Sequence, residues 1–144
     1  MNLNDLTAKY QKDAKLDSLN LEEEVKRAAL LHAEYVGYWS EARRELFRVT
    51  KEYQKFKLEK TDFYETGPSK ETQEKGWKYP VSGKILKMKI PTYLDADKEL
   101  QELEEKVNEA QIKVDVLDKI VQMFSFRRNS VDSILHIRKW EGGG

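Results

Sequence analysis

Between Lys51 and Tyr64, four lysines (Lys51, Lys55, Lys57 and Lys60) interleave with four rings, Tyr53, Phe56, Phe63 and Tyr64. Ammonium groups neutralise backbone phosphates and release condensed counterions, while aromatic faces stack on unpaired bases whatever their identity. These residue types therefore suit salt-sensitive, sequence-tolerant binding of a single strand. A plainer alternative stays open, in which Tyr53 and Phe56 lie on a buried helix seam and the lysines form its solvated flank. A second basic pair, Arg127 and Arg128, suits phosphate or an acidic partner, although two arginines between helices more often form a solvated corner or a cap.

Other chemistries find fewer carriers. The chain has no cysteine, which excludes disulfides, thiolate metal sites and thiol nucleophiles, and fits a reducing compartment. His32 has no second histidine near it, because His136 is far away in sequence, so a seam histidine is expected rather than a metal ligand. Asp95 and Asp97 fall where a helix should start, and carboxylates there favour the positive end of the helix dipole. Gly67-Pro68-Ser69-Lys70 lacks the glycine spacing of a phosphate loop, and neither a nucleophile elbow nor a zinc-protease signature occurs. A non-enzyme without metal or cofactor is expected.

The elements that position these residues are helical. From Leu21 the chain steps alternately by four and three through Val25, Ala28, His32, Tyr35, Trp39, Ala42, Leu46, Val49, Tyr53, Phe56, Lys60 and Phe63, and only His32 and Lys60 break the apolar seam. That alternation keeps one narrow stripe on one side of a long helix, as in a coiled coil or helical hairpin. Asn20 with Glu23 suits its start and Gly67 and Pro68 its end; Gly37 costs it about 1 kcal/mol against alanine, which leaves a local bend or a break into two helices open there, and one helix is the expectation. A second seam runs through Leu100, Leu103, Val107, Ala110, Val114, Leu117, Val121 and Phe124, with Thr92 and Asp95 as candidate caps. Between the helices, residues 68–91 hold all three prolines, and Leu86, Met88 and Ile90 alternate with Lys87 and Lys89 as a short strand or basic ribbon would. Ser130 to Trp140, with Val131, Ile134 and Leu135 on one face, reads as a short closing helix. The expected organisation is one all-α domain, 1–144: an N-terminal helical part (1–67), a basic connector (68–91) and a C-terminal helical part (92–144). It forms a long coiled-coil-like hairpin with short terminal helices.

The 26 basic and 26 acidic residues balance, yet they are segregated. Ser40 to Lys60 holds seven basic and four acidic residues, a net of +3, and Pro68 to Thr92 six and two, a net of +4. Thr92 to Gln122 holds nine acidic and four basic residues, a net of -5. With 36% charged residues the chain has little material for a thick core, and stripes this long need cover. A single antiparallel partner and short ends leave some stripe to pack on copies of itself, so a homo-oligomer is expected. No apolar run approaches the roughly 20 residues that span a bilayer, and no membrane partner is expected.

Residues 57 to 67, KLEKTDFYETG, resemble the basic-x-x-basic, acidic, aromatic-tyrosine, glycine segment of the UvsY-type phage recombination mediators. DLTAKYQKDAKLDSLNLEEE near the start, WKYP and YLDADKELQELEEKV in the middle, and SFRRNSVDSILHIRKWEGG at the end keep that family's order. The resemblance implies a ring-like homo-oligomer that binds single-stranded DNA, helps displace the single-stranded DNA-binding protein and loads a RecA-like phage recombinase. It implies that this happens in the cytoplasm of an infected bacterial host. It carries the family's basic DNA contacts onto Lys57 and Lys60 and its aromatic pair onto Phe63 and Tyr64. Self-association maps onto the Leu100 to Phe124 seam and the segment from Val131 to Ile137, which contains Ile134. Two departures are lysine where the family often has arginine, and one extra residue in Glu65-Thr66 before the glycine; lysine cannot stack as a guanidinium does. The rival expectation is a structural coiled-coil adaptor or chaperone that binds protein and not DNA.

Overall fold

A computed structural model describes residues 1–17 and 19–141, apart from the side chains of Val131, Asp132 and Leu135. The order is α1 (Leu3–Asp13), α2 (Leu21–Thr66), α3 (Lys70–Glu74), a 3₁₀ turn (Lys87–Lys89), α4 (Ile90–Ala96) and α5 (Lys98–Glu141). The described residues are all-helical, as the periodicity predicts. Asn2 starts α1 by accepting from the Asp5 N–H at 2.8 Å. Glu22, Glu23 and Glu24 complement the dipole at the start of α2. Gly67 closes α2 at φ +86°, donating its N–H to the Phe63 carbonyl at 2.9 Å, a left-handed cap that glycine adopts without steric cost. Helix α2 runs through Gly37 unbroken.

Three local expectations are corrected. Leu86 to Ile90 is not a strand or ribbon: it holds the 3₁₀ turn and the start of α4, whose first turn contains Pro91. Proline presets the helical φ at a position with no N–H to satisfy, while an isolated strand would leave its ladder unpaired. The second long helix is started by neither Thr92 nor Asp95. Asp97 is extended at φ -70° and ψ 119°, and its Oδ1 accepts from the Leu100 N–H at 3.0 Å, so the cap lies two residues later. The closing helix is not separate, since α5 is continuous from Lys98 to Glu141. No glycine or proline interrupts it, so the Arg127-Arg128 pair lies within a helix.

The chain divides into two compact units, one made of Met1–Arg44 with the residues from Gln111 onward, the other of Glu45–Ala110. In the first, α1 presents Leu6 and Tyr10 to the seams, and Leu6, Ala28, Tyr35, Leu117, Ile120 and Phe124 are buried. Tyr10 meets Tyr35 and Phe124 edge-on at 6.5 and 6.0 Å, and Tyr35 lies 5.3 Å from Phe124. Two arginines satisfy carbonyls at the end of α1: Arg27 donates to Asp13 and Lys15, each at 2.8 Å, and Arg127 donates to Ala14. Glu24, buried on α2, accepts from the Asp17 N–H at 3.1 Å and ties the α1–α2 link.

In the second unit Phe63, Tyr64, Trp77, Ile85 and Ile90 form the core, with Phe56, Tyr79, Tyr93 and Leu94 packed against it. The connector therefore contributes Trp77, Ile85 and Ile90 to this core. Ser69 and Thr72 form a capping box that starts α3, and Trp77 turns inward just beyond its end. The Tyr79 hydroxyl donates to the Tyr64 carbonyl at 3.0 Å and accepts from the Ile85 N–H at 3.2 Å, pinning the connector to α2.

Candidate nucleic-acid interface

The Glu45–Ala110 unit holds six of the eight candidate contacts, and its packing sorts them. Lys51, Lys55 and Lys57 are exposed along α2. Lys60, Phe63 and Tyr64 are 4%, 2% and 7% exposed, inside the aromatic core. As packed, these two rings cannot stack on a base, because their faces already meet protein: Phe63 lies 5.4 Å from Trp77 and 5.5 Å from Tyr79, and Tyr64 lies 6.0 Å from Tyr93.

Lys60 sits where the seam predicts burial, and the fold answers its charge. Its Nζ lies 3.2 Å from an Asp97 carboxylate oxygen, 3.5 Å from Glu99 and 4.0 Å above the Trp77 ring. The Tyr64 hydroxyl donates to the same Asp97 at 2.6 Å, on the oxygen that faces Lys60. Burial pushes the Asp97 carboxyl up, but the Tyr64 hydroxyl, the Leu100 N–H and Lys60 outweigh it and hold the group below the ordinary carboxylate range. Burial, then the neighbouring Asp97 charge, pushes the Tyr64 phenol up, so it stays a proton donor at neutral pH. Asp97 thereby caps α5, anchors α2 and compensates Lys60 at once.

An exposed ring does lie among the lysines, at a position the spacing argument passed over. Phe47 is 66% exposed, with Lys51 Nζ 5.2 Å from its centroid. Lys57 Nζ lies 6.0 Å from the half-buried Tyr53 ring. Phe47 was legible as an aromatic off the seam, which passes through Leu46 and Val49 and must turn Phe47 outward. Lys55 differs from the other two lysines, for it edges a groove that also contains Glu52, Glu59, Glu99 and Glu102. Arg48 on the same helix is paired with Glu45 at 2.6 Å and Glu52 at 3.4 Å.

The other two candidates belong to the first unit. Arg127 is half-buried, holds the Ala14 carbonyl and lies 5.9 Å from the Phe124 ring, so it serves as the cap of α1. Arg128 is exposed. Of the residues expected to join copies together, Leu100, Val114, Leu117 and Phe124 are buried within the chain itself, and Leu103, Val107 and Val121 are half-buried. Ile134 is exposed.

The profile of the family described as recombination, repair and ssDNA binding protein UvsY matches residues 9–144. The chain belongs to the UvsY family. The fold agrees with crystal structures of the bacteriophage T4 recombination mediator protein UvsY. One lattice form is 22% identical with a TM-score of 0.80, covering 99% of this chain and 98% of that chain. Another is 20% identical with a TM-score of 0.77, covering 98% and 99%. At that identity the likeness to T4 UvsY is one of fold. No match is found among the curated proteins. Among the described residues of this UvsY-family chain no helix is long and apolar enough to cross a membrane.

Proposed function

We propose that this chain is a recombination mediator that binds single-stranded DNA as a homo-oligomer. It helps load a RecA-like phage recombinase onto DNA covered by single-stranded DNA-binding protein, in the cytoplasm of the infected host. The observation that carries the proposal is the family match over residues 9–144, whose description names recombination, repair and ssDNA binding. At residue scale it is supported by the exposed pairs of lysine and ring on α2. Lys51 with Phe47 and Lys57 with Tyr53 supply phosphate neutralisation and stacking. Lys55 contributes less, because its glutamate neighbours repel phosphate. Lys60, Phe63 and Tyr64 act from inside, holding the end of α2 in place, and Arg128 offers a further cation elsewhere.

Self-association uses surface the chain leaves open. Phe126, Ile134, Ile137 and Trp140 on α5 are exposed, Trp140 at 83%, while the seam from Leu100 to Phe124 is largely spent within the chain. Several copies give a flexible strand a multivalent grip, whose avidity exceeds that of one weak patch. The adaptor alternative is favoured by one observation, the neutralisation of Arg48 by Glu45 and Glu52 beside the proposed patch.

Titration of a labelled single strand at several salt concentrations tests the proposal. Saturable binding that weakens with salt is expected, with Lys57→Gln flattening the slope by about 0.7 per phosphate contact removed. Absence of saturable binding at low salt would leave the adaptor.

A further inference from the structure

Within the Glu45–Ala110 unit a groove of about 400 Å³ lies between the later turns of α2 and the first turns of α5. Phe56 and Leu103 line it with apolar surface, and Glu52, Glu59, Glu99 and Glu102 surround them. The four carboxylates outnumber the two ammonium groups there, Lys55 and Lys106. Three of the glutamates are ion-paired within the chain, Glu52 with Arg48 at 3.4 Å, Glu59 with Lys75 at 3.8 Å and Glu99 with Lys60 at 3.5 Å. Each carboxylate has two oxygens and about four acceptor sites, so capacity for further donors remains. With four carboxylates to two ammonium groups in its lining, the groove suits a cationic guest with an apolar centre.

The same unit displays a segment of that chemistry. In the 3₁₀ turn Met88 is 82% exposed between the exposed Lys87 and Lys89, and Leu86 beside them is 63% exposed. A methionine left this open on a short turn gains little from its own fold, and its unbranched, polarisable chain fills irregular apolar gaps well. Met88 is absent from the lining of its own chain's groove, so one copy presents both a guest and a receptor, each unfilled by the other.

We propose that the groove of one copy receives the Leu86–Lys89 turn of a second copy, with Met88 seated on Phe56 and Leu103 and the two lysines among the four glutamates. Turn and groove are different surfaces of one chain, so the contact is head-to-tail and propagates until it closes as a ring or grows as a filament. The inference deepens the self-association proposed above and rests on it. It also draws Lys87 and Lys89 away from DNA and assigns the positive connector a protein partner.

The chain contains no cysteine, so single cysteines can report the contact without background. Met88→Cys protein and Leu103→Cys protein, mixed and allowed to exchange subunits, should be joined into dimers by a short bis-maleimide. Each variant alone should stay unlinked. In parallel, Lys89→Glu and Glu102→Lys should each weaken self-association about tenfold or more by light scattering, because like charges then face each other. The two changes combined in one chain should restore it, which a merely misfolded variant would not do. Oligomers that stay unlinked in the mixture and ignore both charge reversals would overturn this contact while leaving self-association intact. A protein monomeric at every concentration would overturn both.

Discussion

Lys60 carries its charge with 4% of its surface exposed, and Asp97, Glu99 and the Trp77 ring answer it. Removing one partner of a buried pair leaves the other uncompensated, so Lys60→Met should cost about 3 kcal/mol, read as a lower urea midpoint. Lys57→Gln should leave that midpoint unchanged and alter only the salt dependence of DNA binding. If Lys60→Met instead left stability intact and flattened the salt slope, Lys60 would be a phosphate contact rather than an internal support. Asp97 adds a pH signature. Its carboxyl is held below the ordinary value of about 3.9, so its contribution is complete above that value and is lost as pH falls through the lowered one. Asp13 is likewise held low: burial pushes it up, but Lys9, Tyr35 and Arg27 outweigh that. Acid titration followed by circular dichroism should show loss of structure below about pH 4, and Asp97→Asn should make the curve shallower there while lowering stability at neutral pH.

At the scale of elements, the end of α2 and the cap of α5 determine where the exposed lysines stand. Gly67 has open space around the place a Cβ would occupy, so its substitution is opposed by φ +86° alone. Gly67→Ala should therefore lower stability by only about 1 kcal/mol, a small drop in Tm without loss of helix content. Leu117 is fully buried on the α5 seam, and Leu117→Ala should cost about 3 kcal/mol through lost burial and the cavity left behind. Seam positions were readable because alternation by three and four turns one stripe inward whatever its partner is. Leu21, Ala28, Tyr35, Ala42, Val49 and Phe63 are all buried accordingly. The connector was not readable in this way. Trp77, Ile85 and Ile90 are core residues whose spacing follows neither helix nor strand, and only their convergence on Phe63 and Tyr64 explains them.

For the whole molecule, the question is how many copies act together on one strand. Ile137→Glu or Trp140→Glu places charge on apolar surface near the end of α5 and should shift light scattering towards smaller species while helix content is kept. If that surface joins copies, DNA binding should weaken in step with assembly, since avidity falls with the number of linked patches. Unchanged scattering for both variants would remove this part of α5 from the interface.

The amino-acid sequence alone determined the helical class, the inward stripes of both long helices, the glycine stop of α2 and the family resemblance, because each depends on local spacing or local motif. Only tertiary structure decided what the basic and aromatic residues do. Lys60, Phe63 and Tyr64 have the chemistry of a DNA contact, but Asp97 and Trp77, distant in sequence, draw them into a core. Phe47 and Met88 are left facing solvent. Exposure follows from which surfaces find a partner across the fold, and no count of residues along the chain contains that information.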